Sequence, residues 1–483
     1  MRYLFVTDNG VIDSCSGEVL ELDQLERVML ERPGGVIAGN NLYPVLSQLI
    51  PMIKMDIGWT ATLKLQKKKK PKSGRVGGSI YFTRMTYRFP KERYLGTRFR
   101  PGAIKWLILN LELFHETDDI QGSARALVEL AAMRGIRPRD SPGSFGGALL
   151  RASPEWQKGR TPAPWFISEQ ARMHLPGNYY VLRDGYHLKS VKSAYYIDQQ
   201  SSHHTVASTI PLPDPRYLRA RGRLRSVERG EYPEWINREN MNMLDGHTGL
   251  LCASVDCSLI PRTLEHLYPP WAKIPGKHIA WIWTSDLRLF DEWVKLEYVS
   301  CALTSHKMDA ALFEFANWSL DYLSQHKHPA IKAALLAAYG LLGVKSDGRI
   351  EKYSISGRPI PPRSETVNLP LLGEVYRTTV VNTRVSAIQN VVARGVIEAE
   401  TRTRSIEYAR DLEANGFKVS QIYADGLIVD SDHCPYVPRY WRVVGALTNV
   451  RSPTANTIHS NEMTRTPGIP SGRREIKIKE DIW

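Results

Sequence analysis

Two aspartates constrain this chain most, because each closes an apolar, strand-like run: Tyr195-Tyr196-Ile197-Asp198 and Val419-Ser420-Gln421-Ile422-Tyr423-Ala424-Asp425. Carboxylates this far apart in sequence act together when a sheet carries both strand ends to one place. Between them lies Lys332-Ala333-Ala334-Leu335-Leu336-Ala337-Ala338-Tyr339-Gly340, whose apolar spacing and alanine and leucine content predict a helix. Lys332 and Tyr339 are two helical turns apart in this run and so share a face. Two rigid carboxylates with a nearby cation suit a phosphoryl transfer run by two divalent ions, which clamp the attacking and leaving oxygens. Mg²⁺ is bound through one or two protein carboxylates plus substrate phosphates, so few protein ligands are needed. Each feature alone has a plainer reading: an aspartate after a strand often caps a turn, and such a helix often packs in a core with its lysine in water.

The 483 residues, 42% hydrophobic, suffice to bury more than one core, which sets an expectation of two to four domains. Lys and Arg outnumber Asp and Glu by 64 to 50, and the resulting charge of +14 favours a polyanionic partner, either nucleic acid or a membrane surface. No apolar run approaches the roughly 20 residues of a spanning helix. Met1-Arg2-Tyr3-Leu4-Phe5-Val6-Thr7-Asp8 meets an acid too early for a signal peptide. The expectation is a cytoplasmic protein with no membrane partner. Cys15, Cys252, Cys257, Cys301 and Cys434 are scattered and odd in number, which suits unpaired thiols. Cys252 and Cys257 hint at zinc but fall short of the four ligands a structural site wants.

Along residues 1–140, a strand at Tyr3-Leu4-Phe5-Val6, a helix around Leu20 to Leu30, a strand at Gly35-Val36-Ile37-Ala38 and a helix from Tyr43 to Ile50 suggest an α/β layer. The run from Lys67 to Arg75 reads as a basic hairpin loop between strand-like Thr60 to Leu63 and Ser79 to Phe82, either solvated or touching phosphates. Residues 141–180 are rich in Gly and Pro and read as a linker. Arg216, Arg219, Arg221, Arg223, Arg225 and Arg229 form a dense basic strip. Phe313 to Tyr322 and Ile331 to Leu342 read as an antiparallel helix pair, 345–375 as loop-rich, and Val385 to Asn415 as a long helix stopped by Gly416. No internal repeat is visible.

The order of strand Asp, helix with Lys and Tyr-Gly, strand Asp resembles the three polymerase motifs of family B DNA polymerases, in particular protein-primed phage or mobile-element members. Asp198, Ser201 and His203 fall on the Asp, Ser and Tyr of the family's Asp-x-x-Ser-x-Tyr-Pro. Lys332, Tyr339 and Gly340 keep the ends of Lys-x3-Asn-x2-Tyr-Gly, with Leu336 in place of Asn. Aligned without a gap, Asp425 falls on the second Asp of Asp-Thr-Asp-Ser and Tyr423 on the first; the other register leaves a dead site. The ungapped one is preferred because Leu427-Ile428-Val429 continues the outgoing strand.

The resemblance implies an α/β and α+β multidomain fold: a ribonuclease-H-like exonuclease-type domain (1–140), a linker (141–180), palm with an insertion (181–304), fingers (305–365), second palm part (366–435) and small thumb (436–483). It implies a template-directed DNA polymerase in which Asp198 and Asp425 are catalytic and hold two Mg²⁺ ions, with Mn²⁺ as a substitute. Lys332, Tyr339, His203 and Ser201 would line the nucleotide site. His203 stands where the family's Tyr excludes a 2′-hydroxyl, which leaves sugar selection open. Lys67, Lys68, Lys69, Lys70, Arg172, Gly177, Arg216, Arg219 and Arg221 would meet DNA; Gly177 belongs to a degenerate form of the family's Gly-Gly element, with Pro176 replacing one Gly. Implied partners are primer–template DNA, deoxynucleoside triphosphates and a terminal protein or other replication proteins, with the chain a monomer. In the exonuclease-type domain Asp8 is followed by Asn9-Gly10 without the family's Glu, Asn41 is followed by Pro44 at an acidic position, and Asp118 or Asp119 would be the late acid. That set implies a vestigial site without proofreading. The substitutions at Tyr423, Leu336, His203 and Pro44 keep open an inactive pseudo-polymerase that binds nucleic acid as a replication accessory. A nuclease using Asp8 and Asp119 is a third possibility.

Overall fold

The computed structural model describes residues 2–7, 10–21, 24–25, 28–29, 34–40, 42, 59–65, 78–84, 104–115, 117–139, 141–157, 163–177, 179–186, 189–222, 236–237, 244–343, 349–354, 364–369, 373–381, 388–455, 457–462 and 464–465. The chain forms two compact units, Met1–Ala152 with Gln325–Ala338 and Lys345–Ser386, and Ser153–Ser324 with Tyr339–Val344 and Ala387–Trp483.

The first unit is built on a sheet of ten strands. In order across the sheet these are Ser364–Leu369, Gly373–Val381, Arg349–Ser354, Trp59–Leu65, Gly78–Arg84, Ile104–Asn110, Gly34–Gly39, Arg2–Thr7, Gly10–Asp13 and Val19–Leu20. Arg2–Thr7, Gly34–Gly39 and Ile104–Asn110 run parallel, as the expected α/β layer requires. Their cores are near-continuous apolar runs, with Leu4, Phe5, Val36, Ile37, Trp106 and Ile108 all buried. Gly35 has no side chain because a Cβ there would come within 2.7 Å of the Trp106 ring. The 345–375 stretch is not the loop-rich segment its sequence suggests: it carries two of the ten strands and the start of a third. The third of these continues past the stretch as Val375-Tyr376-Arg377-Thr378-Thr379-Val380, whose β-branched and aromatic content favours strand.

The second unit centres on an antiparallel sheet of seven strands, ordered Thr464–Arg465, Thr457–His459, Trp441–Thr454, Ser190–Gln199, Gly426–Asp430, Lys418–Tyr423 and Tyr180–Leu182. The helix Val391–Ala414 begins at Asn390, whose side chain accepts from the Ala393 N–H, and not at Val385. It is buried along most of its length, including Glu400, Arg402, Thr403 and Ser405. A second sheet is inserted between Arg219 and Ser305, in the order Arg219–Gly222, Lys295–Ser305, Thr248–Asp256 and Lys277–Trp283. The 3-10 turn Thr284–Leu289, which follows Lys277–Trp283, bonds Glu400, Arg402 and Thr403, while Ser405 accepts from the Gln199 side chain. Asp286 next to that sheet accepts from Arg402 at 2.6 and 2.8 Å, from the Trp271 indole at 3.2 Å and from the Trp283 N–H at 3.1 Å. Trp283 packs so closely on the helix that a Cβ at Gly395 would meet its ring. The two cysteines that hinted at zinc lie in this insertion as buried thiols; burial raises both, Cys257 to about 11, which disfavours a thiolate ligand. The two expected helices are observed at Ala310–Gln325 and Pro329–Leu342. No helix among the described residues is long and apolar enough to cross a membrane.

Candidate active site

The strand Ser190–Gln199 lies in the middle of the seven-stranded sheet and delivers Asp198 at its end. Asp198 faces Gly426 on one neighbouring strand and Arg442 on the other. Asp425 sits in the tight turn just before Gly426, so the two aspartates come from adjacent stretches of one sheet. Ala424 adopts φ 55°, a left-handed conformation that costs energy for a residue with a side chain and recurs at functional sites. Two backbone bonds hold the turn: the Gln199 N–H donates to the Asp425 carbonyl at 2.9 Å, and the Ala424 N–H donates to the Tyr179 carbonyl at 2.7 Å. Gly426 lets the Tyr196 ring lie across the turn, since a Cβ would stand 2.6 Å from it.

A second left-handed residue, Ser201 at φ 48° and ψ 47°, lies directly after the Asp198 strand and opens the helix Ser202–Thr209. Its reversal brings Ser202 to the turn, where the Ser202 hydroxyl donates to Asp425 Oδ2 at 2.9 Å. Ser202 Oγ also lies 3.3 Å from His203 Nδ1. Because the single hydroxyl proton goes to the carboxylate, the imidazole Nδ1 must be the donor in that second bond. Burial pulls the His203 pKa down, Asp425 pulls it up against that, and Arg394 adds to the lowering.

Tyr339 lies beneath these histidines. Its ring centroid is 4.9 Å from that of His204 and 6.1 Å from that of His203, and the side chain is 1% exposed. Burial raises its pKa, and its hydroxyl has no hydrogen-bond partner among the described residues. The backbone of Tyr339 is tied to the long helix through Arg394, whose Nη1 donates to the Tyr339 carbonyl at 3.2 Å. Arg394 also pairs with Glu398, and Glu398 Oε2 accepts from the Gly177 N–H at 3.1 Å. Gly177 and Tyr339, far apart in sequence, therefore share one ion pair.

Of the remaining expected site residues, Lys332 is exposed on Pro329–Leu342 and is grouped with the first unit, whereas Tyr339 on the same helix points into the core of the second. Arg172 lies 3.7 Å from Glu169 and is 17% exposed. Arg216 pairs with Asp214 at 2.7 Å, and the Arg219 guanidinium donates to the carbonyls of Arg216 and Leu218. Arg221 is in strand opposite Ala302. Asp119 caps the helix Ile120–Met133, accepting from the Gly122 N–H at 2.7 Å. Asp8, Asn41, Lys67, Lys68, Lys69 and Lys70 lie outside the described residues. Two neighbours of the aspartates escape sequence reading. Ser202 stands beside the Ser201 that motif spacing selects, and Arg442 reaches Asp198 through strand register alone, with Nη2 at 3.5 Å from Oδ2.

Asp198 and Asp425 supply hard oxygen donors from neighbouring backbone, the donor type Mg²⁺ takes. No group of three or more His, Cys, Asp or Glu placed to form a protein-only cage occurs among the described residues. The residues present fit a shared protein–substrate metal site and not a closed structural one.

No protein-family model matches the chain, and no curated protein matches it by sequence. Solved structures do match. Phi29 DNA polymerase complexed with primer–template DNA aligns with a TM-score of 0.58 at 13% identity, covering 97% of this chain and 92% of that one. The ternary complex of Phi29 DNA polymerase with primer–template DNA and incoming nucleotide gives the same values. Its complex with single-stranded DNA gives a TM-score of 0.56 at 14% identity over 95% and 86% of the two chains. The chain has the mixed α/β, multidomain fold of Phi29 DNA polymerase along nearly the whole of both proteins.

Proposed function

We propose that this chain is a divergent family B DNA polymerase of the protein-primed phage type, which adds deoxynucleotides to a primer 3′ end. The observation that carries the reading is the delivery of Asp198 and Asp425 to one strand end of a sheet within this fold. In this reading the seven-stranded sheet and the helix Val391–Ala414 are the palm, the helices Ala310–Gln325 and Pro329–Leu342 the fingers, and residues 1–140 an exonuclease-type module without proofreading. Two Mg²⁺ ions held by Asp198 and Asp425 would supply charge neutralisation at the attacking and leaving oxygens. The chain's own contributions follow from its geometry. Ser202 orients the Asp425 carboxylate, and the two turn bonds fix its backbone. The Arg394–Glu398 pair holds Tyr339 beneath His203, so the imidazole presents a firm surface toward the nucleotide sugar. The basic charge and the partners of the structural neighbours support primer–template DNA and nucleoside triphosphates as ligands.

The buried Tyr423, where the family has an acid, favours a second reading in which the site binds nucleic acid without chemistry. Extension of a primer–template by the full chain, with Mg²⁺ and separately Mn²⁺, decides between them. Template-dependent addition supports the polymerase; DNA binding without addition under either ion supports the accessory protein.

A further inference from the structure

We infer that Arg442 is a phosphate-binding residue that rests on Asp198 until a divalent ion takes its place, an inference that depends on the polymerase reading above. Arg442 and Asp198 are directly opposed on adjacent strands, and the strand pairing becomes irregular immediately after, between Val443 and Gly445. Irregularities of that kind re-aim side chains next to functional sites. The contact is long, 3.5 Å, and uneven: the Arg442 side chain is 50% exposed and that of Asp198 13%. Other arginines of this unit, including the comparably exposed Arg216 and Arg288, hold their carboxylates at shorter range. Arg402 is 5% exposed against a fully buried Asp286, and Arg288 makes paired bonds to Glu400 at 2.9 and 3.0 Å.

A guanidinium and a hard cation compete for the same carboxylate oxygen. Ion binding at Asp198 therefore releases Arg442, whose planar fork, half in water already, matches a phosphate through two parallel N–H bonds. The ligand chemistry is a phosphate group, either the primer phosphodiester or the triphosphate of the nucleotide. Arg442 in this role is both a gate on metal entry and a substrate contact.

The test uses the full chain and the variants Arg442→Ala and Arg442→Lys, each checked by thermal unfolding. Calorimetric titration of Mg²⁺ or Mn²⁺ without DNA or nucleotide should show several-fold tighter ion binding in Arg442→Ala, because the competing cation is gone. With Mg²⁺ present, the slope of log affinity for primer–template against log salt should fall by about 0.9 if the phosphate belongs to the primer. An unchanged slope with several-fold weaker nucleotide binding assigns it to the triphosphate. Arg442→Lys, which keeps the charge and loses the fork, should bind ions like the parent and phosphate less well. Unchanged or weaker ion binding in Arg442→Ala overturns the inference, as do unchanged DNA slope and nucleotide affinity together. If the parent chain binds neither DNA nor nucleotide, the polymerase reading itself falls.

Discussion

Two of the aspartate–arginine pairs of the second unit, Asp286–Arg402 and Asp198–Arg442, differ in what surrounds them. Asp286 and Arg402 join the inserted sheet to the long helix, 0 and 5% exposed, with two tryptophan N–H groups completing the carboxylate. Asp198 and Arg442 stand at an open strand end, with the arginine half in water. A buried pair whose lone pairs are satisfied is committed to the fold, because removing one partner strands the other charge. An open pair contributes little to stability and can exchange its cation for another. The comparison teaches that the carboxylate proposed for catalysis is the one whose arginine partner the fold leaves open to water.

The sharpest way to break that contrast is to cut the enclosed pair. Asp286→Ala should destabilise the second unit by about 3–5 kcal/mol, seen as a lower midpoint in denaturant, since it leaves Arg402 buried without its carboxylate. A loss below about 1 kcal/mol would place the two pairs in the same class. Next in size, Ser202→Ala should lower kcat/KM for nucleotide addition by about ten- to a hundredfold through loss of a hydrogen bond to the charged Asp425, with little change in unfolding. Equal activity in that variant would separate Ser202 from the site.

His203 tests the same boundary from the substrate side. His203→Tyr should raise the preference for deoxynucleotides over ribonucleotides by about tenfold and His203→Ala should relax it, read as the ratio of kcat/KM values. Identical ratios in all three proteins would remove His203 from the sugar. Its depressed pKa also sets a pH dependence. The unfolded chain takes up the proton first, so this group's contribution to stability is present at neutral pH and is lost as pH falls below the ordinary histidine value of about 6.5. His203→Gln should reduce the drop in unfolding midpoint between neutral and mildly acidic buffer. The smallest effect belongs to the basic run: changing Lys67, Lys68, Lys69 and Lys70 to Ser should flatten the salt slope of duplex binding by up to about 0.9 for each phosphate no longer neutralised.

Much of this is readable from residues alone. Asp198 and Asp425 are visible because apolar runs announce the strands that carry them, and the helices Ala310–Gln325 and Pro329–Leu342 because alanine and leucine spacing persists over several turns. The stretch 345–375 reads as loop because Pro and Gly dominate its appearance, while the strands between them are short; Ser364–Leu369 pairs with Gly373–Val381, and Arg349–Ser354 joins that strand to the distant Trp59–Leu65. Residue spacing starts the long helix too early because the Asn390 cap, one polar residue in an apolar neighbourhood, is a weak signal. Ser202 and Arg442 are invisible for a different reason. Their roles depend on a left-handed residue at 201 and on the register between Trp441–Thr454 and Ser190–Gln199, neither of which residue spacing encodes. The Arg394 link between Gly177 and Tyr339 joins three distant segments and is likewise a product of the fold.

Single-nucleotide addition by Asp198→Asn and Asp425→Asn, measured beside the parent with thermal unfolding as control, tests the central claim most directly. Each change removes charge from the ion clamp while keeping shape, so each should lower the rate of addition by at least about a thousandfold with an unfolding midpoint close to that of the parent. Addition at the parent rate by both variants, with folding intact, would contradict the assignment of the chemistry to this pair.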